Sequence, residues 1–250
     1  MDENKRTLMI CSETGETILN YLPYDTDDGF ELEWFVVKPK VSHDEKGYVA
    51  GIFQSEEDAR TFAGSGLASQ NGAYVMCEPF ACAFLDAYNT FMSGMFDPYV
   101  WNSTSGKEMV LSHFSKTPLP ELHKFSKSCT NYLLLKAVKS GDVDGKTAFN
   151  LLESEAMYCG YSKNGILLEY NASTDDYRLV LFLRPERLPG LNKDLKPFPI
   201  PLRGQDIADL IGSSDIGLPV SGCVIEPLSS VRICFDFAEE MVDCAEEEIL

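Results

Sequence analysis

Residues 47–77, GYVAGIFQSEEDARTFAGSGLASQNGAYVMC, predict the order strand, capped helix, strand. The first segment, 48–53, is rich in β-branched and aromatic residues, which favour a pleated, half-buried strand. Ser55 and Asp58 have the spacing of a capping box, and the acidic side chains after Ser55 are stabilised by the helix dipole. Asn71-Gly72 predicts a turn before a second strand at 73–77. No glycine-rich phosphate loop joins the first strand to the helix, so we interpret the unit as structural.

Hydrophobic periodicity outside this unit predicts further strands and helices. The predicted strands are 7–11, 17–24, 30–38, 166–170, 177–183, 220–225 and 231–237. One predicted helix begins at Glu78-Pro79, the others are 121–139, 147–158, 205–211 and 239–248, and the proline-rich segment 185–203 is predicted to be extended. Together these elements predict an α+β fold in which mixed or antiparallel sheets pack with helices.

The polar loop 102–107 is the predicted internal boundary of the chain. It separates an N-terminal α+β region, residues 1–101, built on the 47–77 unit, from a C-terminal region, residues 107–250. The second region combines a helical hairpin with a β-hairpin and further strands. A chain of 250 residues can also form one large domain, so both organisations remain open.

The charge balance points to the kind of partner. The formal net charge is −18, from 39 acidic and 21 basic side chains. Direct binding to nucleic acid or to an anionic membrane requires a basic surface, so we expect neither. No apolar run has the length of a membrane span, and residues 1–6 lack the apolar core of a signal peptide. We therefore expect the cytoplasm, of a cell or of an infected host, where the eight scattered cysteines would be reduced thiols.

The segment 141–147, GDVDGKT, shares features with two ligand-binding loops but has the geometry of neither. A Walker A loop needs four residues between its glycines, whereas three separate Gly141 from Gly145 and two of these are aspartates. A calcium loop needs glycine at its sixth position, where Thr147 stands. The segment therefore predicts a turn between two helices. With three histidines and no close CxxC pair, we predict no catalytic residue, no metal ligand and no cofactor.

These observations predict an acidic interaction or inhibitor protein that binds a basic surface of a partner protein. In one form of this hypothesis the partner normally holds DNA or RNA and the chain imitates the nucleic acid, as a viral or phage anti-defence protein would. The predicted partner-binding residues are the clustered acids Asp25, Asp27, Asp28, Glu56, Glu57, Asp58, Asp175, Asp176, Glu239, Glu240, Glu246 and Glu247.

Two alternatives remain open. The chain would be an enzyme of unknown reaction if its site lay near 141–147 or 185–203. It would be a structural subunit of a larger assembly if the aromatic face of the helix, from Phe80 to Met95, formed the subunit contact. The sequence does not give the oligomeric state.

Overall fold

The computed structural model describes residues 6–12, 15–19, 29–40, 49–65, 72–93, 97–101, 110–111, 117–200, 218 and 220–236. It shows an α+β fold, as predicted. Both sheets are mixed, since one parallel pair in each accompanies the antiparallel pairs. Contacts divide the chain into two compact units, Met1–Thr26 with Leu134–Leu250 (unit 1) and Asp27–Leu133 (unit 2).

The strands are β1 Arg6–Ser12, β2 Gly15–Ile18, β3 Glu33–Pro39, β4 Val49–Phe53, β5 Ala73–Pro79, β6 Asp97–Trp101, β7 Val110–Leu111, β8 Tyr158–Ser162, β9 Gly165–Asn171, β10 Asp176–Phe182, β11 Lys196–Pro199, β12 Val220–Ile225 and β13 Ile233–Asp236. The helices are α1 Glu56–Ala63, α2 Phe80–Ser93, α3 Leu119–Ser140, α4 Gly145–Leu151 and α5 Leu188–Leu191, with short 3₁₀ turns at Ser154–Ala156 and Pro185–Arg187.

Unit 2 is built on the predicted strand–helix–strand segment. Its sheet has the order β5-β3-β4-β6-β7, and β3, which lies within the strand predicted around 30–38, pairs antiparallel with both β4 and β5. The Ser55 side chain accepts a hydrogen bond from the Asp58 backbone amide and caps α1. Helix α1 packs against Val37, whereas the Phe80 ring at the start of α2 lies 4.9 Å from that of Trp34. Because successive strand residues face opposite sides, the two helices cover opposite faces of the sheet.

The aromatic face of α2 packs inside unit 2. Phe84 is 1% exposed, and its ring meets that of Phe125 on α3 edge to face, with centroids 4.6 Å apart. Tyr88 is also buried, and its hydroxyl lies 3.0 Å from Nδ1 of His123. Such pairs of aromatic rings add to the free energy gained from apolar burial. Two central members of the predicted contact face therefore belong to the core, while Met95 lies outside the described residues.

Unit 1 contains the larger sheet, in the order β13-β12-β10-β8-β9-β1-β2, with β11 beside β8 and a further pairing of β10 with β9. The sheet contains the hairpin β1–β2 and the hairpin β9–β10, which is the β-hairpin predicted for the C-terminal region. One face of the sheet carries a buried apolar cluster that includes Leu8, Leu167, Val180, Phe182 and Val224.

Strand β1 pairs with β9 over six residue pairs, so the start of the chain belongs to the same sheet as the C-terminal strands. Strand β1 of the predicted region 1–101 thus shares a sheet with a strand of the predicted region 107–250. The loop 102–107 lies outside the described residues, and a boundary there stays a prediction. Helix α3 contains residues of both units.

Three predicted elements differ from the structure. The helix predicted at 147–158 is α4, which ends at Leu151 because Leu152 is extended, and Tyr158–Ser162 pairs with three strands as β8. The segment 185–203, predicted to be extended, contains a 3₁₀ turn, α5 and β11. Strand β2 occupies Gly15–Ile18, whereas 17–24 was predicted, and 20–24 lies outside the described residues. The helices predicted at 205–211 and 239–248 also lie outside them.

A buried carboxylate fixes the turn after β12. The Glu226 side chain is 3% exposed, and its two oxygens accept hydrogen bonds from the Leu183 amide at 2.7 Å and from Arg187 Nη1 at 3.1 Å. Its backbone has φ +51°, a left-handed conformation that is strained for glutamate. The side-chain contacts offset this strain, because losing them would remove the Glu226 acceptor from a buried amide and a largely buried guanidinium.

Replacing Glu226 by Ala is expected to lower the free energy of unfolding by about 3–5 kcal/mol, as for a broken buried ion pair. Glu226→Gln keeps an acceptor for the Leu183 amide. Its free energy of unfolding is therefore expected to lie between those of Glu226→Ala and the wild type. Glu186→Ala is the matched control, because Glu186 is exposed and pairs with Arg184, and it should cost about 0–1 kcal/mol. Urea denaturation at pH 7 measures all three, and equal losses for Glu226 and Glu186 would contradict the buried-pair interpretation.

The start of β9 requires a glycine. Gly165 has φ +127°, and a Cβ atom built on it would overlap the backbone carbonyl of Cys11 in β1. Backbone cannot move aside as a flexible side chain can, so both the conformation and the close approach exclude a larger residue.

Gly165→Ala is therefore expected to lower the free energy of unfolding by about 3 kcal/mol, from left-handed strain and overpacking together. Gly190→Ala is its control, since a Cβ there would meet no atom within 4 Å. This second variant should keep or slightly raise stability, because alanine favours a helix over glycine. Thermal unfolding of the two proteins compares them directly.

Candidate partner-binding surface

The structure places the described members of the predicted acidic set in two separate groups. Glu56, Glu57 and Asp58 form the first turn of α1 in unit 2. Asp175 and Asp176 belong to the β9–β10 hairpin of unit 1. The other predicted residues, Asp25, Asp27, Asp28, Glu239, Glu240, Glu246 and Glu247, lie outside the described residues.

The α1 group lies beside two further carboxylates, Glu33 and Glu78, which do not belong to the predicted set. The pKa of the exposed Cys77 thiol is raised first by desolvation and then by the negative charges of Glu33, Glu56 and Glu78. These charges come together because β3 and β5 pair in register. Glu56 is already ion-paired with Arg60 one helical turn later, at 2.6 Å. A partner that binds Glu56 therefore competes with a cation of the chain itself.

The hairpin group is organised by two tyrosines on neighbouring strands. Tyr170 in β9 and Tyr177 in β10 are directly opposite in the ladder, with ring centroids 5.1 Å apart and ring planes inclined by 40°. The Tyr170 hydroxyl donates to Asp175 Oδ1 at 2.8 Å, and the Tyr177 hydroxyl donates to Glu16 Oε1 at 2.8 Å. We refer to these four residues as the tyrosine–carboxylate surface.

Asp176, the neighbour of Asp175, has a different environment. Its carboxylate accepts hydrogen bonds from the hydroxyls of Thr174 and Ser221. Burial alone would raise the pKa of Asp176, but these bonds and the nearby Arg178 lower it below its usual value. Asp176 therefore joins the hairpin to β12, which is a structural role within the sheet.

The carboxylates of the tyrosine–carboxylate surface have neutral partners. Several other described carboxylates form ion pairs with basic residues: Glu56 with Arg60, Asp86 with Lys38, Glu169 with Arg232, Glu186 with Arg184, Glu226 with Arg187 and Asp236 with Arg178. Within the ranges that the structure describes, no basic side chain forms an ion pair with Glu16 or Asp175. Both are exposed and accept only a phenol hydroxyl at the side-chain oxygens given above.

The two phenols stay neutral hydrogen-bond donors over the physiological pH range. Burial, the hydrogen bond to Glu16 and the negative charge of Glu16 together raise the pKa of Tyr177 to about 12. The pKa of Tyr170 is raised first by its hydrogen bond to Asp175. The surface therefore combines full carboxylate charges with neutral aromatic rings, a combination suited to cationic groups.

The sequence contained a partial signal for this surface. The predicted hairpin at 166–170 and 177–183 already places the two tyrosines close to its turn. The contribution of Glu16 depends on the pairing of β1 with both β2 and β9, which brings together residues about 160 positions apart. No local pattern predicts that pairing.

The described residues give little support for a ligand-binding loop at 141–147, a metal site or a membrane span. The 141–147 segment is the predicted turn between helices, because Asp144 caps α4 by accepting from the Thr147 amide at 2.9 Å. No group of three or more His, Cys, Asp or Glu side chains in the described ranges is placed to hold a metal ion. None of the described helices combines the length and apolar character of a membrane span.

Comparisons with known proteins give no family. No family model matches the chain, and no curated protein matches it significantly. Two solved structures are similar over 80% of this chain and 90% of their own. They are Tic22 from Plasmodium falciparum, at 13% identity and a TM-score of 0.19, and Anabaena Tic22 (protein transport), at 8% identity and a TM-score of 0.21. Likenesses with TM-scores this low support no conclusion about fold or function.

Replacing Glu16 by Gln is expected to lower the pKa of Tyr177 from about 12 toward the ordinary tyrosine value near 10. The substitution removes the anion that disfavours the tyrosinate, whereas burial remains, so the fall should be partial. Tyrosine ring carbon NMR signals, followed from neutral to alkaline pH, measure this change. Glu186→Gln, an equal charge change within unit 1, should leave the pKa of Tyr177 unaffected, and a similar shift in this variant would show a general charge effect.

Proposed function

We propose that the chain is an acidic interaction protein that binds a basic surface of a partner protein. The observation that carries this proposal is the tyrosine–carboxylate surface, where exposed carboxylates have no cationic partner among the described residues. A net charge of −18 adds a long-range attraction toward any basic surface. The site of the proposed activity is cytoplasmic, in a cell or in an infected host.

The two acidic groups differ in what binding requires. At α1, Arg60 must release Glu56 before a partner cation can bind it fully. At the hairpin, a partner cation finds Glu16 and Asp175 without such a competitor. Separating Glu56 from Arg60 cancels part of the free energy that a new ion pair would gain, so the surface with no internal cation is the favoured contact.

Inhibition of a nucleic-acid-binding protein is the specific form of the proposal. A protein that normally holds DNA or RNA presents arginines and lysines spaced for phosphates, and an acidic chain competes for those side chains. Competition by a DNA or RNA oligonucleotide for the bound partner distinguishes this form from other basic partners.

Neither alternative from the sequence is favoured by a specific contact. Asp144 in the 141–147 turn is engaged in capping α4, and Glu186 in the proline-rich segment is paired with Arg184. Phe84 and Tyr88, two members of the predicted contact face, are covered within unit 2.

The proposal predicts binding that weakens steeply with salt. An oligoarginine peptide serves as a defined basic probe, and its Kd should rise about tenfold or more between low and moderate ionic strength. The double variant Glu16→Gln/Asp175→Asn should weaken binding at low salt. Glu186→Gln removes one exposed carboxylate that is paired internally, so it should change the Kd much less.

The natural partner is sought by pull-down from native lysate at the same two salt concentrations. A protein recovered at low salt is then purified and titrated. The wild-type chain and its variants should bind this protein in the same order of affinity as they bind the oligoarginine peptide. Salt-independent binding, or equal effects of the hairpin and Glu186 substitutions, would contradict the proposal.

A further inference from the structure

We infer that the tyrosine–carboxylate surface holds the guanidinium group of an arginine side chain on the partner. The inference rests on the proposed function and specifies which cation the surface selects. It depends on the rings of Tyr170 and Tyr177 as well as on the charges of Glu16 and Asp175.

The hydrogen-bond pattern leaves acceptors available for a partner. Each phenol donates to one named oxygen, Asp175 Oδ1 or Glu16 Oε1. No described side chain donates to Asp175 Oδ2 or Glu16 Oε2. Each carboxylate can therefore accept a second, charge-assisted hydrogen bond from a cationic donor, and such bonds are stronger than neutral ones.

The rings add a recognition element that carboxylates alone lack. The cross-strand pairing holds the two rings 5.1 Å apart, and the phenol bonds fix the position of both hydroxyls beside the carboxylates. The negative face of a tyrosine ring attracts a cation within about 6 Å of its centroid. The chain uses such a contact in unit 2, where Lys40 Nζ lies 4.8 Å from the Tyr74 ring centroid.

Guanidinium fits this arrangement better than ammonium. It is planar, so it can stack on a ring while its donors in the same plane reach a carboxylate. Lysine presents a compact, strongly hydrated charge that cannot do both at once. The surface is therefore expected to prefer arginine over lysine, whereas acidic charge without the rings would distinguish the two weakly.

The test compares oligoarginine and oligolysine peptides of equal length at one low ionic strength. The wild-type chain should bind the arginine peptide about two- to fivefold more tightly for each ring engaged. In the variant Tyr170→Leu/Tyr177→Leu this preference should fall close to one, because arginine-peptide affinity falls more than lysine-peptide affinity. Tyr161→Leu is the control, because Tyr161 is an exposed tyrosine of the same unit that contacts Phe198.

Tyrosine NMR signals test the same contact without altering the fold. Titration of the wild-type chain with argininamide should shift the ring signals of Tyr170 and Tyr177 saturably, and those of Tyr161 little. Tyr177→Phe keeps the ring and removes the bond to Glu16, so it should retain most of the preference for arginine.

The outcomes separate the two proposals. If the wild-type chain binds neither peptide at low salt, the proposed function and this inference both fail. If it binds both peptides and the arginine preference survives loss of the two rings, the inference is overturned while the proposed function stands. Unmoved Tyr170 and Tyr177 signals in argininamide would overturn the inference as well.

Discussion

The register of β9 is the constraint on which unit 1 depends. Glu169 and Tyr170 are neighbours in this strand and face opposite sides of the sheet. Glu169 is 2% exposed and accepts from Arg232 Nη2 at 2.5 Å, with Arg6 Nη1 at 3.7 Å, whereas Tyr170 is half-buried at the edge of the hairpin. A slip by one residue would exchange these positions, leaving the arginines without their carboxylate and the tyrosine in the core. The same register that satisfies the buried charges therefore creates the tyrosine–carboxylate surface.

The ion pairs of the buried arginines also affect the balance of charge in the rest of the chain. Four of the six arginines in the described ranges have largely buried side chains, namely Arg6, Arg178, Arg187 and Arg232. Their carboxylate partners are Glu169, Glu226 and Asp236, so this set holds one more positive than negative charge. The remainder of the chain is correspondingly more negative than its composition suggests. These four arginines are occupied by other carboxylates and form no ion pair with Glu16.

Local features of the sequence predicted local features of the fold well. The cap at Ser55, the hairpin around the β9–β10 turn and the helix at 121–139 each depend on residues close together in the chain. Pairing of β1 with β9 could not be predicted in this way, because it joins residues far apart and depends on burial across the whole sheet. The same limit explains β8, whose apolar residues fit either a helix or a strand until three neighbouring strands supply its partners.

The candidate site shows the same limit of sequence-based prediction. Asp175 and Asp176 were predicted together because both are acidic. In the structure, Asp175 accepts a hydrogen bond from Tyr170, whereas Asp176 accepts hydrogen bonds from Thr174 and Ser221. Two adjacent acids with equal formal charge therefore have different availability to a partner. Availability depends on what already occupies each oxygen, and that follows from strand register. A count of charges therefore misses a difference that the contacts show: Glu56 of α1 already has a cation in Arg60, whereas Glu16 and Asp175 accept from phenol hydroxyls.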